Sequence, residues 1–321
     1  MKRVILAAGL VVVALLAAAC GDSDETAATT GGEAGTISVA AAFYPIEEAV
    51  RTVGGERVEV TNLVPPGGAA HDLELSGEAA AAIETADLVL YLGEGFQTSV
   101  ESAVANRGDA DSAIDLLDGV DLRGADAPVP GVVGEVDGTL IAGGVKDPHF
   151  WVDPALFGSM VETVRDALVA ADPEGEPTYA ANAEAYLAEV EDLDAEFAAG
   201  LEACRGKALV TSHAAFGYLA DRYGLLQAPI AGISPEEEPD PKSLAATAAF
   251  AKKNGVTTVF FETLVPKDLA ETVAAEIGAK TDALDPVEGI PQDQLDAGAS
   301  YLTIQRDNLT RLESGLGCTT G

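Results

Sequence analysis

The sequence predicts an α/β protein of two lobes, each a small, mainly parallel four-stranded sheet flanked by helices, joined by one long connecting helix. Short β-rich runs alternate with helical stretches on both sides of the longest periodic segment in the chain. That segment keeps one face apolar for about 25 residues, too long for an ordinary βα crossover. The two halves also echo each other. VAAAFYPIEEAVRTVGG and LVTSHAAFGYLADRYGL both run from a strand through an AAF turn into a helix.

Taken in order, TISVAAAF is a strand and PIEEAVRTVGG a helix whose proline sits where a helix needs no N–H. VEVTNLV (58–64) is a second strand, SGEAAAAIETA a helix opened by Ser76, and DLVLYLG (87–93) a third strand. FQTSVESAVAN then reads as helix and AIDLL as a short fourth strand. Residues 118–147, rich in Gly, Asp and Pro and without helical period, read as a loop or small hairpin. Asp153-Pro154 gives an N-cap and first-turn proline for a helix to about Ala171. Beyond Asp172-Pro173, Tyr179, Tyr186, Val190, Leu193, Phe197 and Leu201 recur at threes, fours and sevens, the apolar stripe of the connecting helix. The alternation then restarts with KALVTSH, a helix from Ala214 to Tyr223, LLQAPIAGI, and a helix through Ala245 to Lys253. VTTVFFE, a helix from Pro266 to Ile277, TDALD and a final helix from about Gln292 to Glu313 close the chain.

The N-terminus reads as a targeting signal. Lys2 and Arg3 are a positive start, Val4 to Leu16 an apolar run too short to span a bilayer, and Ala17-Ala18-Ala19 a small-residue cleavage site. Cys20 follows at once, a placement that resembles the lipobox of bacterial lipoproteins, although Ala17 stands where leucine is more usual. The expected organisation is a signal peptide over 1–19, a lipid-anchored tether over 20–35, an N-terminal lobe over 36–172, the connecting helix over 173–203 and a C-terminal lobe over 204–321. The mature protein is expected outside the cytoplasm, held to the outer face of the cell membrane through Cys20, as a monomer.

Export decides how the other cysteines read. With Cys20 lipidated, Cys204 and Cys318 remain as a pair in an oxidising compartment, and a disulfide is expected, two buried free thiols being the alternative. In the chain-entropy picture such a bridge stabilises by on the order of 4 to 5 kcal/mol.

Composition is globular, with 48% hydrophobic and 22% charged residues, which excludes wholesale disorder. The balance of 18 Lys and Arg against 53 Asp and Glu, a formal net of −35, argues against nucleic acid as a partner and favours cations.

Three histidines are present, and each falls beside a strand end or in a proline-fixed loop. His71 lies in PPGGAAHDLELS beyond the second strand, His149 in KDPHFWVDP, and His213 at the end of KALVTSH. Asp285 in TDALDP also ends a strand. Ligands of open α/β sheets bind outside those carboxyl ends, so two facing lobes direct all four side chains toward one cleft. No CxxC or HExxH spacing is present, and a single histidine taken alone is more often structural.

The segments PPGGAAHDLELS, ADLVLYLGEGF, DPHFWVDP, VTSHAAFGYLADRYGL, GISPEEEP and FFETLVPKDLAETVAAEIGAKTDALDP, in that order, resemble the zinc and manganese substrate-binding lipoproteins of metal ABC importers. The resemblance implies two lobes around one long helix, a metal ion held between them by His71, His149, His213 and Asp285, a membrane permease as partner, and no reaction. Three imidazoles and one carboxylate favour Zn²⁺, with Mn²⁺ the alternative because it prefers more oxygen ligands. Zinc-specific members often carry a His-rich loop, whereas residues 118–147 contain no histidine. Glu262, after a strand, is expected to orient a ligand imidazole. Trp151 is expected to pack the loop of His149, and Glu236-Glu237-Glu238 to be a solvated run. Two other readings stand beside this one: a zinc hydrolase, for which Glu74 is the local candidate base, and a surface adhesin with an incidental metal.

Overall fold

The first sheet is built from β1 (Ile37–Ala41), β2 (Val58–Asn62), β3 (Leu88–Tyr91) and β4 (Ala113–Asp115), all parallel, in the order β2-β1-β3-β4. Helices α1 (Tyr44–Gly54), α2 (Gly77–Thr85) and α3 (Thr98–Ala105) make its crossovers. Parallel strands are covered on both faces, which is why Val39, Ala40, Ala41, Leu88, Val89 and Leu90 form unbroken apolar runs and are all buried. The computed structural model describes residues 35–124, 146–239 and 241–318. The signal segment, Cys20 and nearly all of the tether lie outside those residues, as does most of 118–147.

Two helices follow, α4 (Pro154–Ala171) and α5 (Glu176–Leu201). The Asp153 carboxylate caps α4 by accepting the Ala155 and Leu156 N–H groups at 2.9 and 3.4 Å. The connecting helix α5 has 26 residues, about 39 Å at 1.5 Å per residue, and buries the expected stripe of Tyr179, Tyr186, Val190, Leu193, Phe197 and Leu201.

The second sheet repeats the first. It contains β5 (Ala208–Thr211), β6 (Leu226–Pro229), β7 (Thr258–Phe261) and β8 (Lys280–Ala283), parallel, in the order β6-β5-β7-β8. Its helices are α6 (Gly217–Tyr223), α7 (Pro241–Lys253) and α8 (Asp268–Ile277), followed by α9 (Gln292–Asp296) and α10 (Tyr301–Leu316). Each sheet thus has a switch point, between β1 and β3 and between β5 and β7, where the strand order reverses.

Two elements differ from the sequence expectation. The final helix is two helices: Gly298 adopts a left-handed φ of +87°, which no continuing helix tolerates, and Ser300 opens α10 with a capping box to Thr303. Helix α6 starts at Gly217 rather than Ala214. The His213 carbonyl accepts Thr211 Oγ1 at 2.7 Å and Gln227 Nε2 at 3.3 Å, and the Ala214 N–H donates to Gly232, so the backbone at 213–214 is committed elsewhere.

One apolar cluster runs through Val39 and Leu90 of the first sheet, the α5 stripe, and Leu209 and Phe260 of the second. A half-buried carboxylate joins the helices that meet there. Glu48 on α1 accepts the Tyr44 hydroxyl, the Tyr186 hydroxyl from α5 at 3.0 Å and the Tyr301 N–H that opens α10 at 3.0 Å. The expected disulfide is present: Cys204 after α5 and Cys318 after α10 have Cα atoms 5.2 Å apart. Replacing both cysteines by serine is expected to lower unfolding free energy by about 2 to 5 kcal/mol. Denaturant melts of oxidised protein and the double variant measure it, and equal midpoints would remove this bridge from the account of stability.

Candidate metal centre

Each histidine reaches the centre from a loop that other side chains hold in place. His71 follows β2 by nine residues, and the buried Gln97 amide donates to the Ala70 carbonyl at 3.0 Å just before it. Its ring meets Phe96 edge to face at 4.7 Å. His149 sits in Asp147-Pro148-His149, where Asp147 Oδ1 accepts both the His149 backbone N–H at 3.0 Å and its Nδ1–H at 2.8 Å. Trp151 is wholly buried against Phe43, as packing required, and its Nε1 donates to the Pro286 carbonyl at 2.8 Å. His213 follows β5, and Glu262 after β7 accepts both its N–H at 3.1 Å and its Nδ1–H at 2.6 Å. Glu262 therefore touches the imidazole that the sequence reading left unspecified.

The carboxylate that the structure brings among the three imidazoles is Glu288, where the sequence pointed to Asp285. Glu288, three residues past Asp285, brings its Oε1 to 3.4, 3.4 and 3.2 Å from Nε2 of His71, His149 and His213. The Asp285 carboxylate is engaged by two loops, accepting the Thr263 hydroxyl from the loop after β7 and the Val287 N–H of its own at 2.7 and 2.8 Å. Val287 takes a left-handed φ of +60°, a costly conformation for a buried β-branched residue, and Glu288 follows directly from it. Asn308 grips the same loop through Asp285, accepting its N–H at 2.9 Å and donating to its carbonyl at 2.7 Å.

The donor atoms fit a small tetrahedral cation. The Nε2 atoms of His71 and His149 are 3.1 Å apart and those of His149 and His213 are 3.3 Å apart. With bonds of 2.0–2.1 Å, the edge of a regular tetrahedron is about 3.3 Å. All four donors lie within 4.8 Å of one another, and theirs is the only such metal-competent group among the described residues. The Nδ1 atoms of His149 and His213 donate to carboxylates, so in the neutral rings Nε2 presents a lone pair inward. Glu288 Oε1 is buried and has no hydrogen bond of good geometry, which suits it to a cation.

Neighbouring carboxylates favour the protonated form of two of the rings. Burial opposes charging His213, but Glu262 and Glu288 overcome it and push the ring up to about 10. For His149, too, burial is outweighed by Asp147 and Glu288, and its pKa is raised. Glu288 is held well below the usual carboxylate range because the three imidazoles outweigh its burial. Glu74 is exposed and outside the four-donor group, so it does not serve as a base for metal-held water. Glu236, Glu237 and Glu238 are likewise exposed.

Residues 39–315 match the family described as ZnuA, zinc-uptake complex component A, periplasmic. The chain belongs to the ZnuA family. The high-affinity zinc uptake system protein ZnuA of Bacillus subtilis (strain 168) is 34% identical over 318 residues, which is 96% of this chain and 97% of that protein. The zinc-binding lipoprotein AdcA of Streptococcus pneumoniae (strain ATCC BAA-255 / R6) is 33% identical over 295 residues, 87% of this chain but 56% of AdcA, so this chain spans little more than half of that relative. The crystal structure of the Zn(II)-bound ZnuA-like domain of the S. pneumoniae AdcA superposes with a TM-score of 0.72 at 33% identity, covering 88% of this chain and 99% of the domain. The two-lobe family fold is therefore the fold of this chain.

Because metal needs the Nε2 lone pair, zinc competes with the His213 proton at neutral pH. A raised folded-state pKa adds stability to the metal-free protein below the unfolded value of about 6.5, and that contribution is lost as pH rises through the folded one. The folded value is about 10. Zinc affinity moves the other way, so the gap in melting temperature between zinc-loaded and metal-free protein is expected to widen from pH 6.5 to 9. A gap that narrows over that range would contradict the assignment.

Proposed function

We propose that this protein is an extracytoplasmic receptor that captures Zn²⁺ on His71, His149, His213 and Glu288 and delivers it to the membrane permease of an ABC importer. The observation that supports it most strongly is that five of the six donor separations are 3.1 to 3.4 Å and all lie within 4.8 Å, together with a buried carboxylate oxygen that lacks a hydrogen bond. Three nitrogen donors and one oxygen suit Zn²⁺, whereas Mn²⁺ takes a more oxygen-rich shell. Membership of the ZnuA family and the zinc-binding names of its relatives support the same cargo.

The chain's own residues perform capture. Asp147 and Glu262 hold two rings so that Nε2 faces inward, and Glu288 supplies the negative charge that offsets the ion. All four donors being protein groups leaves no open position for an activated water, and the protein is a receptor rather than an enzyme. Release requires moving one donor, and Glu288 stands on the loop with the strained Val287. Cys20 as the lipid anchor, a monomeric state and lobes spanning 36–172 and 204–321 about the helix 173–203 belong to the same proposal.

Glu288 and Asp285 separate the proposal from the sequence expectation. Glu288→Gln is expected to weaken zinc binding by more than about a hundredfold, beyond the 10- to 100-fold typical of losing a ligand's partner. Asp285→Asn, which keeps the oxygen that accepts the Val287 N–H, is expected to cost much less. Chelator competition measures both, with Zn²⁺ and Mn²⁺ offered at equal concentration to the wild type. The reverse order of effects would return the fourth position to Asp285, and preferential Mn²⁺ uptake would overturn the cargo.

A further inference from the structure

Behind His149 lies a group of contacts that holding metal does not itself require. Gly124 and Lys146 form an isolated antiparallel bridge, and the Asp147 N–H donates to the Arg123 carbonyl at 2.9 Å. Arg123 is thereby placed beside the carboxylate that fixes His149. Its Nη1 lies 3.6 Å from Asp147 Oδ2, on the opposite side from the Oδ1 that takes the imidazole proton. The same guanidinium reaches α6, where Nε is 2.7 Å from Asp221 Oδ2 and Cζ is 5.6 Å from the centroid of Tyr218.

Tyr218 completes the group. Its hydroxyl donates to the Asp147 carbonyl at 2.7 Å and accepts the Arg123 N–H at 3.0 Å. A side chain at Gly217, the first residue of α6, would collide with Arg123 Nη1, so the guanidinium fills a slot that only glycine leaves open. Helix α6 begins four residues after His213. The contacts therefore run from the support of one imidazole to the element that follows another.

The chemistry of the group gives it consequence. Asp147 is buried, and among the described residues Arg123 is the arginine or lysine beside its Oδ2. Without that charge only the two His149 contacts to Oδ1 hold the carboxylate, and any turn of it moves the oxygen that sets the His149 ring. A planar guanidinium that contacts two carboxylates at once fixes direction as well as charge, which a lysine ammonium does less well. A small rotation of the ring displaces Nε2 from the tetrahedral position.

We propose that Arg123 is a positioning residue for the metal: by bridging Asp147 to Asp221 on α6, it fixes the His149 imidazole relative to His213 and so sets zinc affinity and release without touching the ion. The proposal rests on the receptor reading above. The test uses the full mature chain as wild type, Arg123→Met, Arg123→Lys, Asp221→Asn and His149→Ala. Each is titrated with Co²⁺, whose visible bands report tetrahedral geometry, and with Zn²⁺ against a chelator, and zinc release is timed after mixing with excess chelator.

Arg123→Met is expected to weaken zinc binding by about three- to tenfold, below the range typical of losing a ligand's direct partner. It should also speed release and shift the cobalt bands, with partial recovery in Arg123→Lys and a smaller change of the same sign in Asp221→Asn. A merely structural role would lower the melting temperature of the metal-free protein and leave affinity, release and spectrum at wild-type values, which overturns the proposal. If Arg123→Met does not fold, Asp221→Asn decides, since that side chain is 43% exposed. His149→Ala separates the two failures. If it keeps the wild-type cobalt spectrum, the receptor site itself is wrong. If it loses that spectrum while Arg123→Met and Asp221→Asn do not change it, only the role of Arg123 falls.

Discussion

Three imidazole nitrogens and a carboxylate oxygen crowded within hydrogen-bonding distance of one another are not at rest without a positive charge among them. Two of the rings present lone pairs inward because their other nitrogens are committed to Asp147 and Glu262. Lone pairs and an anionic oxygen at 3.1 to 3.4 Å repel in a buried site, where the effective dielectric is low. Either protons or a metal ion must fill the centre, and this competition links the electrostatics of the site to its function. The net charge of −35 adds a general attraction for cations, but the selectivity comes from this local constraint.

The fold exists, in this view, to hold four donors from four separate segments at that spacing. Each sheet ends its central strands at the cleft, and the loops beyond are fixed by side chains from elsewhere: Gln97 on the His71 loop, Trp151 on the Glu288 loop, Asn308 on Asp285. The Gly67 N–H also donates to the Ile290 carbonyl at 3.0 Å, joining the His71 and Glu288 loops directly. Behind them one apolar core passes through both sheets and α5, and Glu48 ties α1, α5 and α10. A continuous core resists wide separation of the lobes, so small loop rearrangements are the economical route to release.

Much of this was legible in the sequence, for identifiable reasons. Parallel strands buried on both faces leave unbroken apolar runs, and the α5 stripe is long enough to stand out from any crossover helix. Three histidines in a chain that uses the residue so sparingly, each beside a strand end or in a proline-fixed loop, marked the site. The strand-end rule selects the first acid beyond β8, which is Asp285, whereas the structure groups Glu288 with the imidazoles. What turns the chain so that Glu288 points inward is the left-handed Val287, and a β-branched residue gives no sign of that conformation. Asp147 was also passed over, although Asp-Pro-His is the kind of sequence in which an aspartate accepts the N–H two residues on. The break before α10 carried its signals in Gly298 and Ser300, hidden by the helical period on either side.

X-ray absorption at the zinc edge of the loaded protein examines the coordination shell most directly. The account predicts four ligands, three imidazole nitrogens and one carboxylate oxygen, at about 2.0 to 2.1 Å, with the imidazole scattering signature of three rings. A five- or six-coordinate shell dominated by oxygen, or a shell with fewer than three imidazoles, would contradict it.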